Sequence, residues 1–192
     1  MAKATLLSAI AATNRGLLAS PTDKQNILTA IASLENLNPT PHPVVSNLIN
    51  GNWRLLYTTS DSLLNLQRLP FYQLGQIYQC IRTFSNSVYN IAEFFGLPFA
   101  ESIVSVSAKF DVVSDERVSV QFERSIIGFT SLIGYKSPEI FIQEIESGKK
   151  FTAINLPINS QRQDAWLDIT YLDEDLRISR GNQGSVFVLT RA

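Results

Sequence analysis

A chain of 192 residues that is 45% hydrophobic and 17% charged has enough apolar surface for one core in a single domain of ordinary size. Its 16 Lys and Arg nearly balance 17 Asp and Glu, for a net charge of −1, which removes the whole-domain electrostatic case for nucleic acid or acidic lipid. One cysteine, Cys80, and one histidine, His42, exclude an internal disulfide, a cysteine-based metal site and a two-histidine metal site within one chain.

The opening stretch MAKATLLSAIAATNR has only Lys3 ahead of a short, serine-interrupted apolar run, too thin for a signal peptide. It reads instead as an amphipathic helix, with Leu6, Leu7, Ile10, Leu17 and Leu18 at rough helical spacing. There is no Arg/Ser-rich transit segment, and no run approaches the ~18 apolar residues of a membrane span. If the chain is full length, a protein that acts where it is made is expected. Asn14-Arg15-Gly16 breaks the helix. Ser20-Pro21-Thr22-Asp23 starts another, with Ser20 as N-cap, Pro21 at the first helical position and Asp23 completing a capping box. Ile27, Leu28, Ile31 and Leu34 then form its apolar stripe. Pro39, Pro41 and Pro43 cannot continue a helix. The expected division is therefore a helical hairpin with a Pro-rich linker over residues 1–43 and a main body over residues 44–192, integrated as one domain.

From residue 50 the period changes to two. Trp53, Leu55 and Tyr57 alternate with Arg54, Leu56 and Thr58; Ile77, Gln79 and Ile81 alternate with Gln76, Tyr78 and Cys80. Val104, Val106, Ala108, Phe110 and Val112 face Ser105, Ser107, Lys109 and Asp111, and Val118, Val120 and Phe122 follow after a tight hairpin at Asp115-Glu116. Such alternation predicts antiparallel strands with one dry face. Further strands are predicted over residues 139–144, 150–155, 165–172, 175–180 and 185–190, with residues 128–138 as a longer loop placed to cover an opening. Eight to ten short strands without helical crossovers predict a mainly β fold with an N-terminal helical segment, an up-and-down barrel or a sandwich.

Catalytic and metal motifs are weak. His42, between Pro41 and Pro43, is a loop residue, which leaves a hydrolytic triad without its base. Asp168 and Asp175 lie near turns, where carboxylates are ordinarily solvated or capping. Asp173-Glu174-Asp175 lacks the ligand spacing of a calcium loop, and RGNQG at residues 180–184 runs into a strand rather than the helix a phosphate loop needs. No cofactor and no enzymatic activity are expected. The inward faces read as apolar and aromatic, Phe110 and Phe122 among them, with two polar exceptions. Gln79 sits between Ile77 and Ile81, and Asn90 shares a face with Val88, Ala92 and Phe94. Buried amides need partners; these two either orient a ligand head group or satisfy backbone within the barrel. Asp175 and Arg177, two apart, share a strand face and form either a charge-compensated inward pair or a surface ion pair.

Four blocks carry a family resemblance: LENLNP (34–39), GNWRLLYTTS (51–60), GQIYQCI (75–81) and YLDEDLRISRGNQGSVFVLTR (171–191). The Gly-x-Trp at the head of the first strand looks like that of the calycin superfamily, to which lipocalins belong. In this order the blocks resemble the plastid lipid-associated proteins, or plastid fibrillins, and their cyanobacterial relatives. The resemblance implies an antiparallel lipocalin-like β-barrel that binds or shields small hydrophobic molecules at thylakoid or lipid-globule (plastoglobule) surfaces, in photoprotection and stress tolerance. The motif positions carried over are Gly51, Trp53, Leu56, Tyr57, Gln79, Asn90, Asp175, Arg177, Arg180 and Gly181. Trp53, Tyr57, Gln79, Asn90, Phe110, Phe122, Asp175, Arg177 and Arg180 are thus expected to bind ligand or close the barrel, with Gly51 and Gly181 structural. Gly51 would let the chain turn into the barrel, and Trp53 would plug one end with Arg177 or Arg180 on its indole. The expected partner is a lipid, carotenoid or quinone. Plant members carry a transit peptide that this chain lacks, so the expected location is the cytoplasm or thylakoid periphery of a cyanobacterium, or a plastid for a trimmed plant protein. The competing expectation is a structural coat of lipid particles or membranes with no internal ligand. A more distant one is pigment handling, by analogy with the bilin-attaching lyases that share the calycin fold.

Overall fold

A computed structural model of the protein describes residues 1–66, 72–96, 100–158 and 165–192. Two helices, α1 (Ala2–Ile10) and α2 (Pro21–Glu35), precede β1 (Gly51–Thr58). There follow a short helix α3 (Asp61–Asn65) and the strands β2 (Gln73–Arg82), β3 (Ser87–Phe95), β4 (Ser102–Val112) and β5 (Arg117–Phe129). Helices α4 (Thr130–Ile133) and α5 (Pro138–Glu146) lead to β6 (Ile154–Pro157), β7 (Ala165–Leu172), β8 (Leu176–Gly181) and β9 (Val186–Arg191). The strand ladders are all antiparallel. Their order is β4-β3-β2-β1-β9-β8-β7-β5-β6, and β4 also pairs with β5. That extra ladder, from Ser102↔Phe129 to Val112↔Val118, closes β1–β5 and β7–β9 into a ring. Strand β6 is left as an extension paired to the far end of β5.

Alternation sends one set of side chains inward and the other outward. The inward set is apolar: Trp53, Leu55, Ile77, Ile81, Val88, Ala92, Phe94, Ala108, Phe110, Val118, Ile169 and Leu189 belong to one cluster. The outer wall is apolar in two sectors, and helices cover both. Helices α1 and α2 set Leu6, Ile10, Ile27, Ile31 and Leu34 against Tyr57, Tyr171, Leu176, Ile178 and Val188. Helix α5 sets Phe141 and Ile142 over Cys80, Tyr89, Ile91, Ile103 and Ile126. Burial there pushes the Cys80 thiol up to about 12, so it stays a protonated, unreactive core group.

Several local expectations hold in detail. Ser20 and Asp23 form a reciprocal capping box at α2, with Pro21 in the first turn. The turn before it places Asn14, Arg15 and Gly16 at φ values of 45°, 59° and 105°. Others need correction. Residues 139–144 are not a strand but lie within α5, which Ser137 caps by accepting from the Ile140 N–H; Phe141, Ile142 and Ile145 fall on one helical face, which the outer wall buries. The next strand is confined to Ile154–Pro157. Residues 128–138 are not a loop over an opening: β5 runs to Phe129, and Ile133 and Tyr135 pack on the outer wall beneath α5.

The helical hairpin is registered on the ring at one tight point. The Thr58 N–H donates to the Arg15 carbonyl at 3.0 Å, and a Cβ on Gly16 would lie 2.4 Å from the Thr58 carbonyl oxygen. A side chain there would meet backbone on both counts, at a positive φ that favours glycine. Gly16→Ala is expected to cost about 2 kcal/mol or more, a fall of about 4–8 °C in Tm for a chain of this size. An unchanged thermal melt would show that the turn relaxes freely and does not fix the hairpin.

Candidate functional site

The ring encloses a cavity of about 870 Å³, within the size range of sites that hold a drug-sized molecule. Its walls are Ile81, Val88, Val106, Phe110, Val118, Val120, Phe122 and Ile169. It opens toward the end where β1 runs into α3 and where residues 182–185 join β8 to β9, reaching Ser60, Leu63, Asn182 and Ser185. At the opposite end two 3-10 turns, Pro43–Val45 and Asn47–Ile49, place buried Val44 and Ile49 across the ring.

Trp53 closes that floor. It is fully buried, and its indole N–H donates to the Ile49 carbonyl at 2.9 Å. Two guanidinium groups lie over the ring: Arg191 at 4.2 Å and Arg177 at 5.1 Å from its centroid. Such contacts contribute about 0.5–2 kcal/mol each. Arg191 also donates to the Asn50 carbonyl at 3.0 Å and the Glu174 carbonyl at 2.7 Å, so it ties the final strand to the floor turn. Gly51, at φ 127°, turns the chain into β1, and a Cβ there would sit 2.8 Å from Arg191 Nη1. The glycine at the head of the Gly-x-Trp motif is therefore required by its backbone, and a side chain there would also displace the Arg191 guanidinium.

Arg177 is wholly buried and faces inward from β8. Its Nη2 donates to the Gln79 side-chain oxygen, while Nε and Nη1 have no acceptor among the described residues. Gln79 Nε2 donates onward to Asn90 Oδ1 at 3.0 Å. Gln79 and Asn90 stand opposite each other in the β2–β3 ladder and both line the cavity. Burial and the Arg191 charge act to lower the Arg177 pKa, but a guanidinium remains protonated at neutral pH.

The structure brings Trp53, Gln79, Asn90, Phe110, Phe122 and Arg177 together inside the ring and leaves other expected residues outside. Tyr57 packs on the outer wall beneath the helices, because a bulge between Leu55 and Tyr57 adds one residue and reverses the face. Arg180 does not reach the indole; it clamps α2 through Glu35, with Nη2–Oε2 at 2.7 Å and Nε–Oε1 at 2.8 Å. Asp175 precedes β8 in an exposed turn, 3.4 Å from Lys3, and forms no pair with Arg177. Gly181 lies at the rim in ordinary backbone, where a Cβ would make only ordinary contact, the nearest with Phe187 at 3.5 Å; the turn glycine of that hairpin is Gly184, at φ 72°. Arg191 is the floor residue that the sequence reading passed over. Its signal was present, since Phe187, Leu189 and Arg191 share a strand face.

Trp53→Ala is expected to lower stability by about 3–5 kcal/mol, as truncation of a large buried aromatic does, and to raise accessibility at the floor. A thermal melt identical to the parent protein would contradict its role as the plug.

The pattern of the PAP_fibrillin family matches residues 1–190. A chromoplast-specific carotenoid-associated protein of Cucumis sativus is 36% identical over 98% of this chain and 67% of its own length. A light-induced chloroplastic protein of Solanum tuberosum is 36% identical over 98% of this chain and 66% of its own. A chloroplastic plastid-lipid-associated protein of Citrus unshiu is 34% identical, with 98% and 67% covered. The chain thus spans about two thirds of the length of these curated relatives. No solved structure matches it. With identity of this order carried through both helices and the closed ring, the chain belongs to the PAP_fibrillin family, that of the plastid lipid-associated proteins.

Proposed function

We propose that the protein holds one small, mainly apolar molecule inside the ring and works, without catalysis, at lipid surfaces of photosynthetic membranes. The observation that carries this reading is the cavity of about 870 Å³ with largely apolar walls, a packed floor and the hydrogen-bonded amides Gln79 and Asn90 set into its lining. Apolar volume with a few placed polar groups is the usual composition of a small-molecule site. The names of the relatives, carotenoid-associated, lipid-associated and light-induced, support a lipid or carotenoid as cargo; a quinone as cargo and a role in photoprotection are part of the proposal. The names also support a plastid setting, within which the protein is proposed to sit at the thylakoid periphery or on lipid globules. In this reading the helical segment 1–43 buttresses the ring 44–192, and the two act as one unit.

A second reading has its own observation. Ile154 and Leu156 of β6 are 60% and 51% exposed, and Phe129 of β5 is 45% exposed. These side chains stand where the sheet extends beyond the ring, and contiguous exposed apolar surface marks interaction sites. This favours adsorption to a lipid surface, as a coat. Among the described residues, no helix is long and apolar enough to cross a membrane.

Gentle purification from a photosynthetic host, followed by solvent extraction and mass spectrometry, separates the two. Internal binding predicts one apolar molecule in near-stoichiometric amount. Extracts with no such molecule, together with a Tm unmoved by added carotenoid, quinone or fatty acid, would overturn internal binding and leave the coat.

A further inference from the structure

The polar end of the cavity has a direction, and Arg177 sets it. A guanidinium carries only donors. Whatever amide faces it must present oxygen, so Gln79 is held with Oε1 toward Arg177. Gln79 then has only its NH₂ to offer Asn90, and Asn90 must accept through Oδ1. What remains for the cavity is the NH₂ of Asn90, which has no protein acceptor among the described residues, beside the second N–H of Gln79. The orientation of both amides follows from the chemistry of the arginine. It does not rest on telling oxygen from nitrogen in an amide. The relay begins at a fully buried cation, and among the described residues no carboxylate forms an ion pair with it. The donors are therefore polarised by a positive charge, beside the hydrocarbon of Ile81, Val88 and Val106 in the same lining.

Resting on the internal-ligand reading above, we infer that the cavity selects an apolar molecule whose polar end is a hydrogen-bond-accepting oxygen, a carboxylate or carbonyl, docked on the Asn90 amide. Gln79 and Asn90 are the contact groups. Arg177 is a positioning residue that acts through Gln79. A ligand ending in an ammonium brings only donors to a donor site and adds a second positive charge, so it is rejected. A hydroxyl end, which can accept through one lone pair, falls between.

Four probes of one chain length test this by calorimetric titration: dodecanoate, methyl dodecanoate, dodecanol and dodecylammonium. The parent protein should bind dodecanoate about tenfold or more tighter than dodecylammonium, as one charge-assisted hydrogen bond gained or lost would give. The ester should fall between them. The Asn90 side-chain NH₂ resonances should shift with dodecanoate and with the ester. In N90D the new carboxylate still accepts from Gln79 and turns an acceptor to the cavity, so the preference should invert in favour of dodecylammonium and dodecanol. In Arg177→Met, Gln79 can turn over, and discrimination between dodecanoate and dodecylammonium should shrink severalfold even where overall affinity persists. Probes that bind with equal affinity to the parent protein, with the Asn90 resonances unmoved, would overturn the inference while leaving internal binding intact. Failure of all four to bind would overturn both. A purely structural role for the relay would weaken every probe in proportion; such uniform loss in N90D and Arg177→Met contradicts the inference. Should N90D not fold, the order of the four probes on the parent protein and the amide shifts decide alone.

Discussion

The β4–β5 ladder is the interaction on which the rest depends. Without it the strands form a twisted open sheet with two edges; with it, eight of them share a closed circumference. Closure fixes the width of the interior, because strand number, tilt and stagger are linked. The inward positions around the middle of this ring hold small or branched residues, Val88, Ala92, Val106, Ala108 and Val120. They do not fill the space that closure imposes, and a cavity of about 870 Å³ remains. An apolar void of that size forfeits dispersion contacts along its whole lining. The fold tolerates it where the floor is densely packed, by Trp53 with Val44, Ile49 and Leu189, and where helices thicken the outer wall.

The floor also explains a buried cation. Leaving a charge in a protein interior is costly unless it is paired or hydrogen-bonded, and an apolar residue of similar volume is often as stable. Among the described residues Arg177 has one hydrogen bond and an indole face, with two nitrogens lacking an acceptor. Its contribution is directional: it orders the Gln79–Asn90 pair, which a hydrocarbon side chain cannot do. The neighbouring arginine works differently. Arg191 spends its donors on backbone carbonyls at residues 50 and 174 and staples the last strand to the floor. Two arginines over one tryptophan thus divide the labour between polarity and closure.

Much of this was legible in the sequence, for reasons that can be named. The capping box at Ser20–Asp23 is a local device, and it reads directly. The inward rows Val104 to Phe110 and Val118 to Phe122 are long enough for period two to be unambiguous, and Gln79 and Asn90 stand out within their rows because apolar neighbours flank them. What failed was less local. Residues 139–145 carry Ile140 and Ile142 at strand spacing and Phe141 and Ile145 at helical spacing, so a short apolar run fits both periods; the Ser137-Pro138 start signal decides for helix. Tyr57 lies beyond a one-residue bulge, which reverses sidedness without leaving a mark in composition. In β8 both faces are buried, one by helices and one by the ring interior, so polarity alone could not say that Arg177 points in while Arg180 points out to Glu35.

In the proposed function the interior of the ring, rather than its outer surface, takes up the apolar cargo. Val106 lines the cavity from the middle of β4, remote from the exposed side chains of β6. The most direct measurement is the affinity of dodecanoate for the parent protein and for Val106→Trp, whose indole would occupy the cavity. Uptake inside the ring predicts that binding falls by at least about tenfold, as loss of a few contacts at 1.4 kcal/mol per decade implies, with the fold and melt retained. Undiminished binding by a folded Val106→Trp protein would place the cargo outside the ring and contradict it.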